Sequence, residues 1–261
     1  MRFPMRSVLA LLVLGALGAC DAEESTPSSP SKPSPSAAPS SPTSPSADAG
    51  STHVASEALR KCAEAQGAIA SIGDVIARLN ALAPSADGPC FVAALPRPLE
   101  VVATHSVTSA QPAAGRESPR LFFLLPKLVI SAVPEGDGSK LLELGEWVTT
   151  TRTIKGELEL PVTSKLAPDA AFQKILQGDD RTVCATCHRE ESAHPSIPKA
   201  FVSMAFRPNP GTLVTVAELE AFHETCTREN DESARCAMLH ALFDFGEVKQ
   251  GAFSPEVETF Y

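Results

Sequence analysis

Cys184-Ala185-Thr186-Cys187-His188 places two thiols two residues apart, with an imidazole directly after them. That run supports four chemistries. The sulfurs can add to the two vinyl groups of a haem while the imidazole lies against the iron as an axial ligand. They can close on one another as a small disulfide, leaving His188 an ordinary polar neighbour. They can join Cys226 and Cys236 as four ligands of a tetrahedral zinc. Or they can act as a redox dithiol, which requires a strand before and a helix after within a parallel α/β layout. The long gap to Cys226 and the wide spacing to Cys236 are poor for a zinc ribbon. The upstream chain reads as antiparallel, which disfavours the redox dithiol. The haem and disulfide readings remain.

The five residues 184–188 resemble the attachment site of the c-type cytochromes. The resemblance covers only this run and the helix before it, which carries Phe172. It implies a covalent haem c held by Cys184 and Cys187, His188 as the proximal iron ligand, and electron transfer. It also implies a distal ligand, usually a Met near a Pro some tens of residues downstream. Here Met204 is near Pro208 but only 16 residues past His188, and Met238 falls in a helical segment without an adjacent proline. The distal position is therefore expected from Met204 or His194, or is open. His223 and His240 flank the expected Cys226–Cys236 bridge and read as structural. His53 reads as solvated, and His105 as a strand residue.

The N-terminus places this chemistry outside the cytoplasm. Arg2 and Arg6 precede an apolar run, Val8 to Gly18, that is too short for a permanent span of about 30 Å. Small residues follow it, which is the pattern of a secretory signal. Leu17-Gly18-Ala19-Cys20 resembles the lipobox of bacterial lipoproteins, implying that residues 1–19 are removed and Cys20 is lipidated. The partner would then be a membrane, cell or outer, with the domain facing the periplasm or exterior. Asp21 resembles an inner-membrane retention signal of enteric bacteria, a rule that differs between bacterial groups, so the choice of membrane stays open. Residues 20–52 are rich in Ser, Pro, Ala and Asp, lack large apolar side chains, and read as a disordered tether.

The formal charge is −9, and this acidic balance offers no footprint for nucleic acid. Of seven cysteines, Cys20 is assigned to lipid and Cys184 with Cys187 to the motif. The four that remain in an exported chain point to disulfides. Cys62–Cys90 and Cys226–Cys236 are the preferred pairs, although sequence allows other connectivities.

The elements that would carry the motif read as α+β. Residues 54–82 have a helical stripe: Cys62, Ala65, Ile69, Ile72, Ile76 and Leu79. Residues 99–107, 121–133, 141–151 and 154–162 read as strands, the last by strict alternation of Ile154, Gly156, Leu158 and Leu160 with polar residues. Pro126 within the second run points to an edge, a bulge or a break there, and residues 135–138 form a turn. An antiparallel sheet or small sandwich is expected. A helix over 169–177 precedes the motif, with Asp169 as its cap. Residues 192–214 carry four prolines and read as a loop. Thr215 and Glu218 have the form of a capping box, and a last helix follows Asp231 and stops at Gly246. The expected organisation is a signal (1–19), a lipidated tether (20–52), a helix and β-rich region (53–165) and a mainly helical haem-c-like region (166–261). No G-x-S-x-G, Walker loop or H-E-x-x-H occurs. Electron carriage therefore reads better than enzymatic chemistry, with Asp179-Asp180 and Glu190-Glu191 as a rim for a basic redox partner. The alternative is a structural lipoprotein with Cys184–Cys187 as a staple.

Overall fold

The structure is a computed structural model that describes residues 56–65, 67–84, 86–226 and 232–260. The expected signal, the expected lipidation site Cys20, the expected tether, His53 and Asp231 lie outside the described residues. In chain order the elements are α1 (Glu57–Ala63), α2 (Ile72–Leu82), α3 (Gly88–Ala93), β1 (Leu99–Thr104), β2 (Arg120–Leu125), β3 (Leu128–Ala132), β4 (Leu141–Trp147) and β5 (Arg152–Glu159). Then come α4 (Ala170–Ile175), β6 (Ser192–Ala193), β7 (Phe201–Met204), β8 (Phe206–Arg207), β9 (Leu213–Val214), α5 (Val216–Glu224), α6 (Ala234–Phe243), β10 (Val248–Gln250) and β11 (Glu258–Thr259). The class is α+β, with helices at both ends of the chain and a large mixed sheet between.

One nine-stranded sheet runs in the order β10-β1-β2-β3-β4-β5-β7-β6, with β9 also paired to β1. Its centre, β1 to β5, is an antiparallel meander, with tight turns between β2 and β3 and between β4 and β5 and longer connections between β1 and β2 and between β3 and β4. Pro126 and Lys127 form the two-residue turn between β2 and β3, where Leu125 pairs with Leu128. Pro126 thus stands where no ladder N–H is needed. The only parallel pair in this sheet among the described residues is β1 with β10. Strands from residues 53–165 and from 166–261 therefore share one sheet.

The register sorts side chains by face. Val101, Phe123, Ile130, Leu144 and Ile154 lie on one face, all buried, and pack beneath the helices. Gly156 lets this face meet α2 and α4: a Cβ there would come 3.1 Å from the Ala171 Cβ and 3.4 Å from Ile72 Cδ1. Arg120, Phe122, Val129, Glu143, Trp147 and Lys155 lie on the other face, which carries the site.

The N-terminal helical stripe is divided. Gly67 adopts φ +129° between α1 and α2, and Ser71 starts a new helix by accepting the Asp74 N–H at 3.1 Å. The Glu146 carboxylate from β4 accepts the Ile72 N–H at 2.8 Å and pins that helix start to the sheet. Cys62–Cys90 then ties α1 to α3, and Cys226–Cys236 joins the chain after α5 to α6. The capping box of Thr215 and Glu218 is formed. α6 is capped by Ser233, and Asp169 makes no side-chain cap but pairs with Lys199 and Gln173. Residues 192–214, expected as a loop, hold β6, β7, β8 and β9, because Phe201 to Met204 fill the free edge of β5. The C-terminal part is thus less helical than expected. No helix among the described residues is long and apolar enough to cross a membrane.

The turn before β4 has little tolerance. A Cβ on Gly138 would lie 2.7 Å from the Pro112 carbonyl oxygen and 3.0 Å from Val133 Cγ2. Gly138→Ala is expected to destabilise the fold by about 1–3 kcal/mol through overpacking, read as a lower urea midpoint at unchanged slope.

Candidate functional site

Residues 184–188 sit on a short 3-10 turn, Val183–Thr186, at the open face of the sheet. Its start is held from both directions. Thr182 accepts the Cys184 N–H at 3.2 Å through its hydroxyl, and the Glu191 carboxylate takes both the Thr182 N–H, at 2.7 Å, and its O–H. Glu190, at φ 57°, pairs with Arg152 on β5. Glu191, expected with Glu190 as part of a solvated rim, instead braces the start of the motif; Glu190 pairs with Arg152 and stays exposed, as do Asp179 and Asp180.

Neither Cys184 nor Cys187 is in a disulfide. Cys226 is bonded to Cys236, so the four-cysteine zinc arrangement does not form. Burial pushes the Cys184 thiol up to about 11, the reverse of the depressed value of a reactive redox thiol. The His188 ring is fixed by its Nδ1, which lies 2.7 Å from the Met204 carbonyl oxygen, and it stacks on Phe206 with ring centres 5.2 Å apart. The carbonyl can only accept, so Nδ1 carries the proton and Nε2 keeps its lone pair. Burial, aided by the nearby Lys155 charge, pushes His188 down to about 3, so the ring is neutral at physiological pH. A half-buried, neutral imidazole with its second nitrogen anchored to a carbonyl is the state a metal-ligating histidine needs.

The motif opens onto a cavity of about 550 Å³, within the usual range for cofactor and ligand sites. Cys184, Cys187 and His188 form one wall. Phe122, Trp147, Phe206, Phe253 and Phe260 supply aromatic surface, and Arg120, Lys155 and Arg207 supply cationic groups. Arg120 is committed elsewhere: it pairs with Glu143, donates to Ser131 and lies 4.6 Å over the Phe122 ring. Lys155 Nζ donates to Thr153 Oγ1 at 2.7 Å and to the Met204 carbonyl at 3.0 Å. Burial lowers its pKa to about 8. Arg207 has its Nε buried without a partner.

The two expected distal ligands are elsewhere. Met204 pairs with Arg152, two residues before Ile154 on β5, so its side chain belongs to the helix-covered face; only its carbonyl reaches the motif. His194 borders a separate, smaller cavity with Pro195, Ile197 and Pro198, and its Nδ1 accepts the Ser196 and Ile197 N–H groups. Among the described residues lining the large cavity, His188 is the only histidine and no methionine occurs. His105 lies just past β1 with its N–H bonded to the Thr212 carbonyl.

Sequence reading missed Lys155, Arg207 and Trp147. Lys155 was visible as a polar position in the alternating strand, but not as a buried group. Comparison with protein-family models, curated proteins and solved structures returns no match to this chain.

Proposed function

We propose that the chain is a lipid-anchored, extracytoplasmic monohaem c-type protein that carries electrons. The observation supporting this reading is the placement of an unpaired Cys184, an unpaired Cys187 and a neutral, carbonyl-anchored His188 on one wall of a cavity of about 550 Å³. Cys184 and Cys187 would hold the porphyrin through thioethers, and His188 would ligate the iron. The haem supplies reversible one-electron chemistry between two iron oxidation states. The chain supplies the rest. The Met204 carbonyl keeps the Nδ1 proton in place and raises the basicity of the opposite nitrogen. Phe122, Trp147, Phe253 and Phe260 exclude water. The unpartnered Arg207 Nε offers an N–H to a carboxylate at the cavity wall. Cys20 would hold the protein at the membrane face, and an oppositely charged redox protein would be its partner.

A second reading is favoured by one observation. Among the described residues, the cavity lining holds no His or Met besides His188 that would serve as a second protein ligand to the iron. This supports binding of a small ligand there, as in a haem protein that senses or turns over one.

Both readings are tested on the full chain matured in a host that attaches c-type haem. A haem-sized mass increase and a Soret band that survives denaturation are expected, and CO should shift the reduced spectrum within mixing time. The single Trp, Trp147, lines the cavity, so its fluorescence should be strongly quenched in the loaded protein and recover in apoprotein. Colourless matured protein yielding an intact Cys184–Cys187 disulfide peptide would leave the structural-lipoprotein alternative. Haem without CO binding would keep electron transfer and remove the small-ligand reading.

A further inference from the structure

We infer that His223, His240 and Asp244 form a binding site for a divalent transition-metal ion of the zinc class, separate from the cavity. His223 lies in the last turn of α5, and His240 and Asp244 are one helical turn apart at the end of α6. The spacing puts both α6 side chains on one face. Their donor atoms converge. His223 Nε2 is 3.1 Å from His240 Nδ1 and 3.0 Å from Asp244 Oδ1, and His240 Nδ1 is 2.9 Å from Asp244 Oδ2. None of the three lines the haem-type cavity.

Proton counting favours a cation at the centre of this triangle. Each ring nitrogen carries at most one proton and the carboxylate carries none when ionised. If both nitrogens are protonated, each can donate to the carboxylate, but the nitrogens then face each other as two donors. If only one is protonated, a nitrogen lone pair faces either a carboxylate oxygen or an unshared contact. At most two of the three contacts are good hydrogen bonds in any state. A metal ion satisfies all three lone pairs together. Donors bound to zinc at 2.0–2.1 Å with tetrahedral angles are about 3.3 Å apart, close to the observed contacts of 2.9–3.1 Å, which the carboxylate makes through a different oxygen to each ring.

The frame suits a fixed site. Cys226–Cys236 bridges the chain three residues after His223 to a position four residues before His240, so the two ligand-bearing helices are covalently joined beside the triad. The His240 side chain is only 4% exposed, whereas His223 and Asp244 are 15% and 14% exposed. Solvent can therefore deliver the ion and fill a fourth position. Two nitrogens and one carboxylate with one open place match zinc's usual ligand set, and the site uses no thiolate, because its neighbouring cysteines are oxidised.

The test uses the full chain, stripped with chelator and titrated with ZnCl2, read by isothermal calorimetry and by metal analysis after desalting. One zinc per chain is expected, with a rise in thermal midpoint. His223→Ala and the isosteric Asp244→Asn should each weaken zinc at least about tenfold, while Cys184→Ser/Cys187→Ser should bind zinc like the parent. That last variant separates this site from the haem reading: failure of haem attachment leaves zinc uptake intact. Circular dichroism of Asp244→Asn guards against a folding defect. No saturable uptake by the folded parent, or unchanged uptake in both ligand variants, would overturn the inference in favour of a metal-free hydrogen-bonded cluster.

Discussion

Replacing both motif sulfurs, Cys184→Ser with Cys187→Ser, is expected to abolish covalent haem: the matured protein should have the bare polypeptide mass and no colour after denaturation. His188→Ala should keep the added mass, because the thioethers remain, but change the absorption spectrum and weaken the oxidised form's ligand field. The two outcomes separate attachment from ligation. The fold should be indifferent to the sulfurs themselves. The turn is held by Thr182, Glu191 and the His188–Met204 contact, none of which uses a thiol. Compared as apoproteins, the parent and the double Ser variant should differ by no more than about 0.5 kcal/mol in urea unfolding. A Ser variant that retains denaturation-resistant haem would refute the proposed attachment. So would a parent that never acquires it.

The second large effect concerns the disulfides. Cys62–Cys90 spans 28 residues and Cys226–Cys236 spans 10. A chain-entropy treatment gives stabilisations of about 3.6 and about 2.7 kcal/mol respectively, chiefly by restricting the unfolded chain. Cys62→Ala/Cys90→Ala should therefore cost more than Cys226→Ala/Cys236→Ala. The first also frees α1, whose helix end is joined to α3 by that bond. Equilibrium urea unfolding of the two double variants checks the order. A smaller loss at 62–90 than at 226–236 would show that native packing, not loop closure, decides their worth. The comparison should be made at saturating zinc and again in chelator, because the second bridge lies beside the His223 cluster.

The physical patterns that could be read without coordinates are those carried by single segments. Alternation of Ile154, Gly156, Leu158 and Leu160 marked β5, Pro126 marked the β2–β3 turn, and Thr215 with Glu218 marked the start of α5. The disulfide partners followed from proximity along the chain and an expected oxidising destination. Other features depended on partners far away. Gly67 interrupts the N-terminal stripe, because a left-handed φ costs glycine little and its apolar neighbours keep helical spacing on both sides. α3 is a one-and-a-half-turn helix that only its Asp87 cap betrays, with the Cβ-free Gly88 and Pro89 at its start. β6, β8 and β9 are two residues long and lie among prolines, so their pairing is dictated by the free edges of β7, β11 and β1 and not by local propensity.

The site divides in the same way. The chemistry of residues 184–188 is local and legible. The cavity is not, since it is assembled from one face of β1 to β5, from β8 and from loop residues far apart in the chain. A single strand cannot reveal that its polar face looks into a sheltered space instead of open solvent. Lys155 illustrates this: its neighbours in sequence suggest a hydrated ammonium, while its neighbours across the sheet bury it to 7% exposure and commit two of its protons to Thr153 and Met204. The same holds for Met204, whose sulfur suggested a ligand and whose carbonyl is the atom that meets the motif.

Chain order has a consequence for assembly. Phe253 and Phe260, which close one side of the cavity, and β10, which completes the sheet beside β1, all follow residues 184–188. Under the proposed export and haem attachment, a polypeptide threaded out amino-end first would present its two sulfurs while Phe253 and Phe260 are still in transit. The last part of the chain to arrive would then act as a door shut behind a passenger already seated.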